Sequence, residues 1–136
     1  GTALGLPRKA APKPRKQMPV TLALTESPEG FLLQQRPEKG LLAGLWQPVL
    51  WENEALSAEE ILARLQAMGL DTGGSVPEAL PAAKHIFSHI EWHMNGILLH
   101  VPSQTAPAGC VWAGREALQT EYTLPGAFKA YKKLML

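Results

Sequence analysis

An internal disulfide and a cysteine-built metal centre are both closed to this chain, because its 136 residues include one cysteine, Cys110. A solitary thiol fits a reducing compartment, so a cytoplasmic location is expected. No apolar run approaches the ~20 residues that carry a helix across a bilayer. Charge is sparse, at 18% of residues against 46% hydrophobic, which excludes a disordered polyelectrolyte and indicates one globular core in one domain. A secretory signal is missing too: Gly1 to Leu6 is too short, and a basic, proline-bearing stretch follows. There is no initiator Met, so the chain is expected to be a piece of a longer or processed polypeptide.

The net charge of +1 conceals an asymmetry. Arg8, Lys9, Lys13, Arg15 and Lys16 stand in the first twenty residues without an acid, whereas residues 21–136 hold 8 basic groups against 12 acidic ones. Any attraction for phosphate must therefore be local, or come from the basic arm. Residues 1–18, with Pro7, Pro12 and Pro14, read as an extended linker, either a solubilising tether or an arm that touches phosphate. The folded domain is expected over 19–136.

Within it, Val20–Thr25 and Phe31–Arg36 are β-type runs around the turn signal Ser27-Pro28-Glu29-Gly30. Pro37–Gly44 is a loop. Leu45–Trp51 is extended, with Pro48 marking an edge or a bulge. Ser57-Ala58-Glu59-Glu60 is a capping box opening a helix, whose apolar face is Ile61, Leu62, Leu65 and Met68 and whose stop is Gly69. Two further strands, Ala83–Phe87 and Ile90–Val101, precede a short one at Gly109–Trp112 and a helical turn at Ala113–Gln119. Pro125 opens a terminal helix that turns Phe128, Tyr131, Leu134 and Met135 inward and Lys129, Lys132 and Lys133 outward. The mixture predicts an α+β sandwich around a mixed or antiparallel sheet.

Lys84-His85-Ile86-Phe87-Ser88-His89-Ile90-Glu91-Trp92-His93 gathers three of the four histidines, two aromatics and a hydroxyl into ten residues. Buried polar groups need partners, so this composition suits a hairpin with one packed face and a polar tip. Zinc at His85, His89 and His93 would need i, i+4 spacing on a helix, and this stretch reads as strand and turn. Phe87 is either core or a ring offered to a ligand. His89 is either a hydrogen-bonded surface imidazole or a flank to Ser88. Trp46, Trp51, Trp92 and Trp112 are read as packing.

Four stretches together resemble the C-terminal domain of MutY-type adenine DNA glycosylases. They are the Pro/Lys/Arg linker; Phe31 to Pro37 running into Gly40-Leu41-Leu42-Ala43-Gly44-Leu45-Trp46; His85 to His89 with Trp92; and Tyr122-Thr123-Leu124-Pro125. Where such domains carry Trp-Glu-Phe-Pro, this chain has Trp46-Gln47-Pro48. The resemblance implies a Nudix-like α/β/α sandwich with a mixed, largely antiparallel sheet and no functional Nudix box. Anchoring the Nudix pattern on Gly69-Leu70 puts its Arg-Glu pair on Leu62-Ala63 and its Glu-Glu pair on Gln66-Ala67, so all three metal-binding carboxylates are missing and only the upstream Glu54 matches. A Mg²⁺–diphosphate centre requires those oxygens. Glu59 and Glu60 sit at the helix start, where they serve the cap and the dipole.

The resemblance also implies a role: a non-catalytic domain that reads 8-oxoguanine opposite adenine in double-stranded DNA. The family's catalytic domain and its iron–sulfur cluster would lie outside this chain, which itself needs no cofactor. Ser88 is the implied reader, flanked by Phe87 and His89. Arg15, Lys16, Arg36, Lys39 and Lys84 are candidate backbone contacts, each alternatively an ordinary solvated charge. Expected partners are the lesion duplex, the chain's own N-terminal catalytic domain and a repair or replication protein met through the linker. The domain is expected to be monomeric and, in a bacterium, nucleoid-associated. Two rivals remain: an active Nudix pyrophosphohydrolase on oxidised nucleotides, and a protein-interaction module.

Overall fold

The computed structural model describes residues 15–136. The proline-bearing part of the expected linker, residues 1–14, lies outside the described residues. The expected linker boundary at residue 18 moves, because strand β1 (Lys16–Ser27) already includes Lys16, Gln17 and Met18, paired with Ile90, Glu91 and Trp92. The chain continues through β2 (Gly30–Gln35), β3 (Trp46–Glu52), α1 (Ala58–Ala67), β4 (Glu78–Ala79), β5 (Ala83–Ile86) and β6 (Ile90–His100). It ends with β7 (Cys110–Ala113), α2 (Arg115–Gln119), a 3₁₀ turn (Gly126–Phe128) and α3 (Lys129–Met135).

One sheet orders these strands β4-β6-β1-β3-β2-β7, with β5 also paired to β6. β1 and β6 run parallel from Lys16–Ile90 to Glu26–His100, and the other pairings are antiparallel. Gly96 permits that long parallel contact, since a Cβ there would strike the Leu22 carbonyl. Two apolar clusters show that helices cover both faces. One joins Ile61 and Leu65 of α1 to Ala23, Val49, Ile97 and Leu99. The other joins Leu118, Phe128, Tyr131 and Met135 to Leu22, Leu33, Trp92 and Met94. The expected α/β/α sandwich with a mixed, largely antiparallel sheet is therefore the observed architecture.

Local chemistry explains the elements. Ser57 accepts from the Glu60 amide at 3.2 Å, while Glu60 accepts from the Ser57 amide at 2.9 Å, so the capping box is complete. At the other end of α1, the Gly69 amide donates to Gln66 and the Leu70 amide to Leu65, and Gly69 has φ +99. This is a Schellman stop, whose left-handed residue favours glycine. Burial of Ile61 and Leu65 then holds the helix to the sheet, at about 1.5–3 kcal/mol for each side chain.

Two expectations fail. Pro48 does not mark an edge: β3 lies between β2 and β1, and Pro48 sits where β3 changes partner, its first half pairing with β2 and its second with β1. A residue without an N–H is tolerated at that handover. Leu134 does not face the core but is 41% exposed, because the turn of α3 that buries Tyr131 and Met135 carries it outward.

Candidate nucleic-acid interface

The β5–β6 hairpin carries the most chemically unusual surface. His85 pairs with Trp92 and Ile86 with Glu91, leaving Ser88 and His89 as a two-residue turn. The Phe87 amide donates to the Ile90 carbonyl at 2.7 Å, closing the turn, and the Lys16 amide donates to the His89 carbonyl at 3.0 Å. The turn is thus tied to its own hairpin and to β1, and both Ser88 and His89 are exposed on it.

Beneath the turn is an aromatic stack. Phe87 is half-buried, with its ring edge-on to Trp92 at 5.0 Å and to His85 at 4.7 Å. Trp92 is fully buried and also meets Phe128 at 6.1 Å. Strand alternation would put Phe87 and His89 side by side. The turn ends that alternation, so Phe87 supports the tip from below while His89 stands on it.

Arg36 corrects an expectation. It is not a surface cation but 7% exposed. Its guanidinium donates to the Leu41 carbonyl at 2.8 Å, to Gln47 at 3.0 Å and to Glu52 at 3.1 Å, and it lies 5.6 Å from the Trp92 ring centre. Buried and bonded through each nitrogen, Arg36 is not presented to phosphate. It instead fastens loop 36–45 to the stack under the tip. Gln47, where the chain departs from the family pattern, accepts one of these bonds. Leu42 in the same loop has φ +53, a left-handed conformation that costs an L-residue roughly 1–2 kcal/mol. Trp46 then packs edge-on to Tyr122 at 5.0 Å, joining two of the stretches that carry the family resemblance. Lys39 is exposed on this loop.

The opposite face of the hairpin carries charge. Glu91, 8% exposed, stands 3.6 Å from Arg15, 3.9 Å from Lys84 and 2.9 Å from His93. One carboxylate therefore gathers two permanent cations and an imidazole at the base of the tip. Nothing in the residue pattern singles out Glu91 except that it is an acid in strand register between Trp92 and the hairpin turn. His85 lies on the Trp92 side and His93 on the Glu91 side, so the histidines do not converge.

At α1, Ala63, Gln66 and Ala67 occupy the positions where the Nudix pattern places carboxylates. Glu54 is held by Arg64 in a two-point contact at 2.7 and 3.1 Å, and that hydrogen bonding keeps its carboxyl below the usual range. These residues do not fit a Mg²⁺–diphosphate centre.

Residues 20–134 match the NUDIX domain family. The human protein "Adenine DNA glycosylase" is 34% identical over 128 residues, which is 86% of this chain and 23% of that protein. This chain thus spans about a quarter of the curated relatives it matches. The C-terminal domain of mouse MUTYH, solved in complex with human PCNA, superposes with a TM-score of 0.65 at 25% identity, covering 86% of each chain. A MutT protein from Methanosarcina mazei Go1 shares the fold, with a TM-score of 0.65 at 19% identity over 88% of this chain and 93% of that one. The chain belongs to the NUDIX domain family, as a Nudix-like domain that matches the C-terminal domain of adenine DNA glycosylases.

Proposed function

We propose that this domain reads 8-oxoguanine paired with adenine in DNA, as the lesion-recognition part of an adenine DNA glycosylase. The catalytic domain, with its iron–sulfur cluster, belongs to another part of the longer protein. It flips the adenine and hydrolyses its glycosidic bond, while this domain holds the opposite strand.

The observation that carries this reading is the exposed Ser88 on a turn tied down at both flanking backbones. Guanine offers only acceptors at N7 and O6 along that edge, whereas 8-oxoguanine presents an N7–H donor beside a C8 carbonyl acceptor. A serine hydroxyl both accepts and donates, so it answers either group. A turn held in place spends little entropy on binding, which makes one small contact effective. Phe87 positions the tip, and His89 is the ring free to lie against the lesion or its neighbour. Tethering to a catalytic domain makes the contact intramolecular, so a domain with more acids than bases beyond residue 20 can still contribute.

Ser88→Ala in the intact glycosylase is expected to lower the preference for 8-oxoguanine over guanine about tenfold, the lower part of the ~1–3 kcal/mol range for a base contact. Turnover on the lesion duplex should fall less. An unchanged preference would remove Ser88 as the reader. The active Nudix rival would be revived by Mg²⁺-dependent release of pyrophosphate from 8-oxo-dGTP.

A repair or replication partner is a second, compatible reading, supported by the mouse domain's complex with PCNA. A pull-down that survives nuclease treatment and fails without residues 1–14 would assign that contact to the linker.

A further inference from the structure

Beside the tip, between edge strand β5 and α3, runs an open groove of about 560 Å³. Lys84 and His85 line it from β5 and Lys129 and Lys133 from α3; among the described residues no acidic side chain lines it, although Lys84 also reaches Glu91 at 3.9 Å. We propose that this groove holds the sugar–phosphate backbone of the strand whose base meets Ser88. The proposal rests on the reading of the tip as a DNA contact and adds the surface that bears the strand.

Charge is the first reason. Residues 21–136 hold 8 basic groups against 12 acidic ones. Arg36 is buried, Arg64 is held by Glu54 and Lys84 lies 3.9 Å from Glu91; of the five other cations, Lys129 and Lys133 stand together on this one groove of an otherwise acidic body. Lys129 and Lys133 are i, i+4 on α3 and so project along one side.

Shape is the second. Gly126, Ala127 and Ala130 form the helical wall without bulk, which lets a backbone approach closely. The two walls are fixed relative to each other: the buried Tyr131 hydroxyl donates to the Pro81 carbonyl at 2.9 Å, pinning α3 to the chain entering β5. The groove is thus preorganised and does not have to be assembled by its ligand.

Continuity is the third. His85 touches Phe87, the residue directly under the turn. Lys84 to Ser88 is at most about 13 Å of strand at ~3.3 Å per residue. One DNA strand places a phosphate every ~3.4 Å along the axis, so a base at Ser88 leaves the phosphates of the next few nucleotides within reach of the groove. An acidic peptide would match the charge but would have no reason to start at the tip.

The test uses the full-length glycosylase that carries this domain, on duplexes whose adenine nucleotide resists hydrolysis. Lys129→Gln with Lys133→Gln should weaken binding to 8-oxoguanine and guanine duplexes by the same factor, leaving their ratio unchanged. The slope of log K against log salt should fall by about 1.8, two phosphates at ~0.9 each. Lys132→Gln, on the same helix but outside the groove, should change neither. An unchanged affinity and slope in the double variant overturns the proposal. So does intact DNA binding with loss of an acidic protein partner, which assigns the groove to that partner. Failure of the tip reading looks different: Ser88→Ala then leaves the base preference untouched, whatever the salt slope does.

Discussion

The hairpin tip at residues 87–90 and the last turn of α1 lie on the same sheet and have had opposite fates. At the tip, small exposed groups rest on a dense scaffold of Phe87, Trp92, Phe128 and Arg36. At α1, the helix is as well formed, with a complete cap and a Schellman stop, yet it bears Ala63, Gln66 and Ala67 where the Nudix pattern has metal-binding carboxylates. The same fold holds a helix without those carboxylates and a hairpin turn with exposed polar groups. Packing maintains the first, and buried support for exposed polar groups makes the second. The difference is also one of tolerance: the tip depends on what lies beneath it, whereas the end of α1 depends on little beyond Ile61 and Leu65.

Trp92→Ala tests that dependence most severely. It removes a fully buried ring that touches Phe87, Phe128 and Arg36, and should cost about 3–5 kcal/mol in chemical denaturation. A loss below 1 kcal/mol would mean that the tip does not rest on this stack. Arg36→Ala comes next. Removing one partner of a fully buried ion pair costs ~3–5 kcal/mol, but the Glu52 side chain keeps 37% of its exposure, so about 2–3 kcal/mol is expected. The same variant should loosen loop 36–45, read as faster amide exchange there than in α1. Equal exchange in both regions would break the comparison.

The α1 end should be far more forgiving. Ala63→Glu, Gln66→Glu and Ala67→Glu replace exposed residues, so each should cost only about 0.3–1 kcal/mol, because the new charges sit at the negative end of the helix dipole. A collapse of the fold in the triple variant would show a packing role that the exposure of these positions denies. The smallest effect belongs to Glu54. Hydrogen bonding from Arg64 lowers its folded pKa, so the stabilisation is present above the ordinary carboxylate range and lost as pH falls through the lowered folded value. Glu54→Gln should reduce stability slightly at neutral pH and not at all in strong acid. A stability difference that grows on acidification would reverse the sign and refute the pairing.

Much of the fold was legible in the residues. Ser57 and Glu60 announced the start of α1 and Gly69 its end, because caps are local and satisfy backbone groups within a few residues. The β5–β6 hairpin was legible from composition, since an unusual set of polar and aromatic side chains has to be divided between a packed face and a tip. Pro48 misled because an absent N–H suggests an edge, while the handover of β3 depends on Leu33 of β2 and Ala23 of β1, both distant in the chain. Arg36 misled for a related reason. A cation next to a glycine-bearing loop reads as surface, and only the arrival of Gln47, Glu52 and Trp92 from elsewhere in the chain makes its burial tolerable.

The class of fold, the helix ends, the missing carboxylates on α1 and the place of Ser88 between two rings could all be read from residues close together in the chain. Periodicity, capping and motif spacing are properties of neighbours along the chain. Folding in three dimensions sets the rest: Phe87 lies beneath the tip while His89 stands on it, Arg36 serves the scaffold, Glu91 gathers Arg15, Lys84 and His93, and Lys129 and Lys133 face β5 across a groove. Those are distance relations between residues far apart in the chain. They are fixed by the parallel pairing of β1 with β6 and by the packing of α3 on the sheet, neither of which is written in any single stretch of sequence.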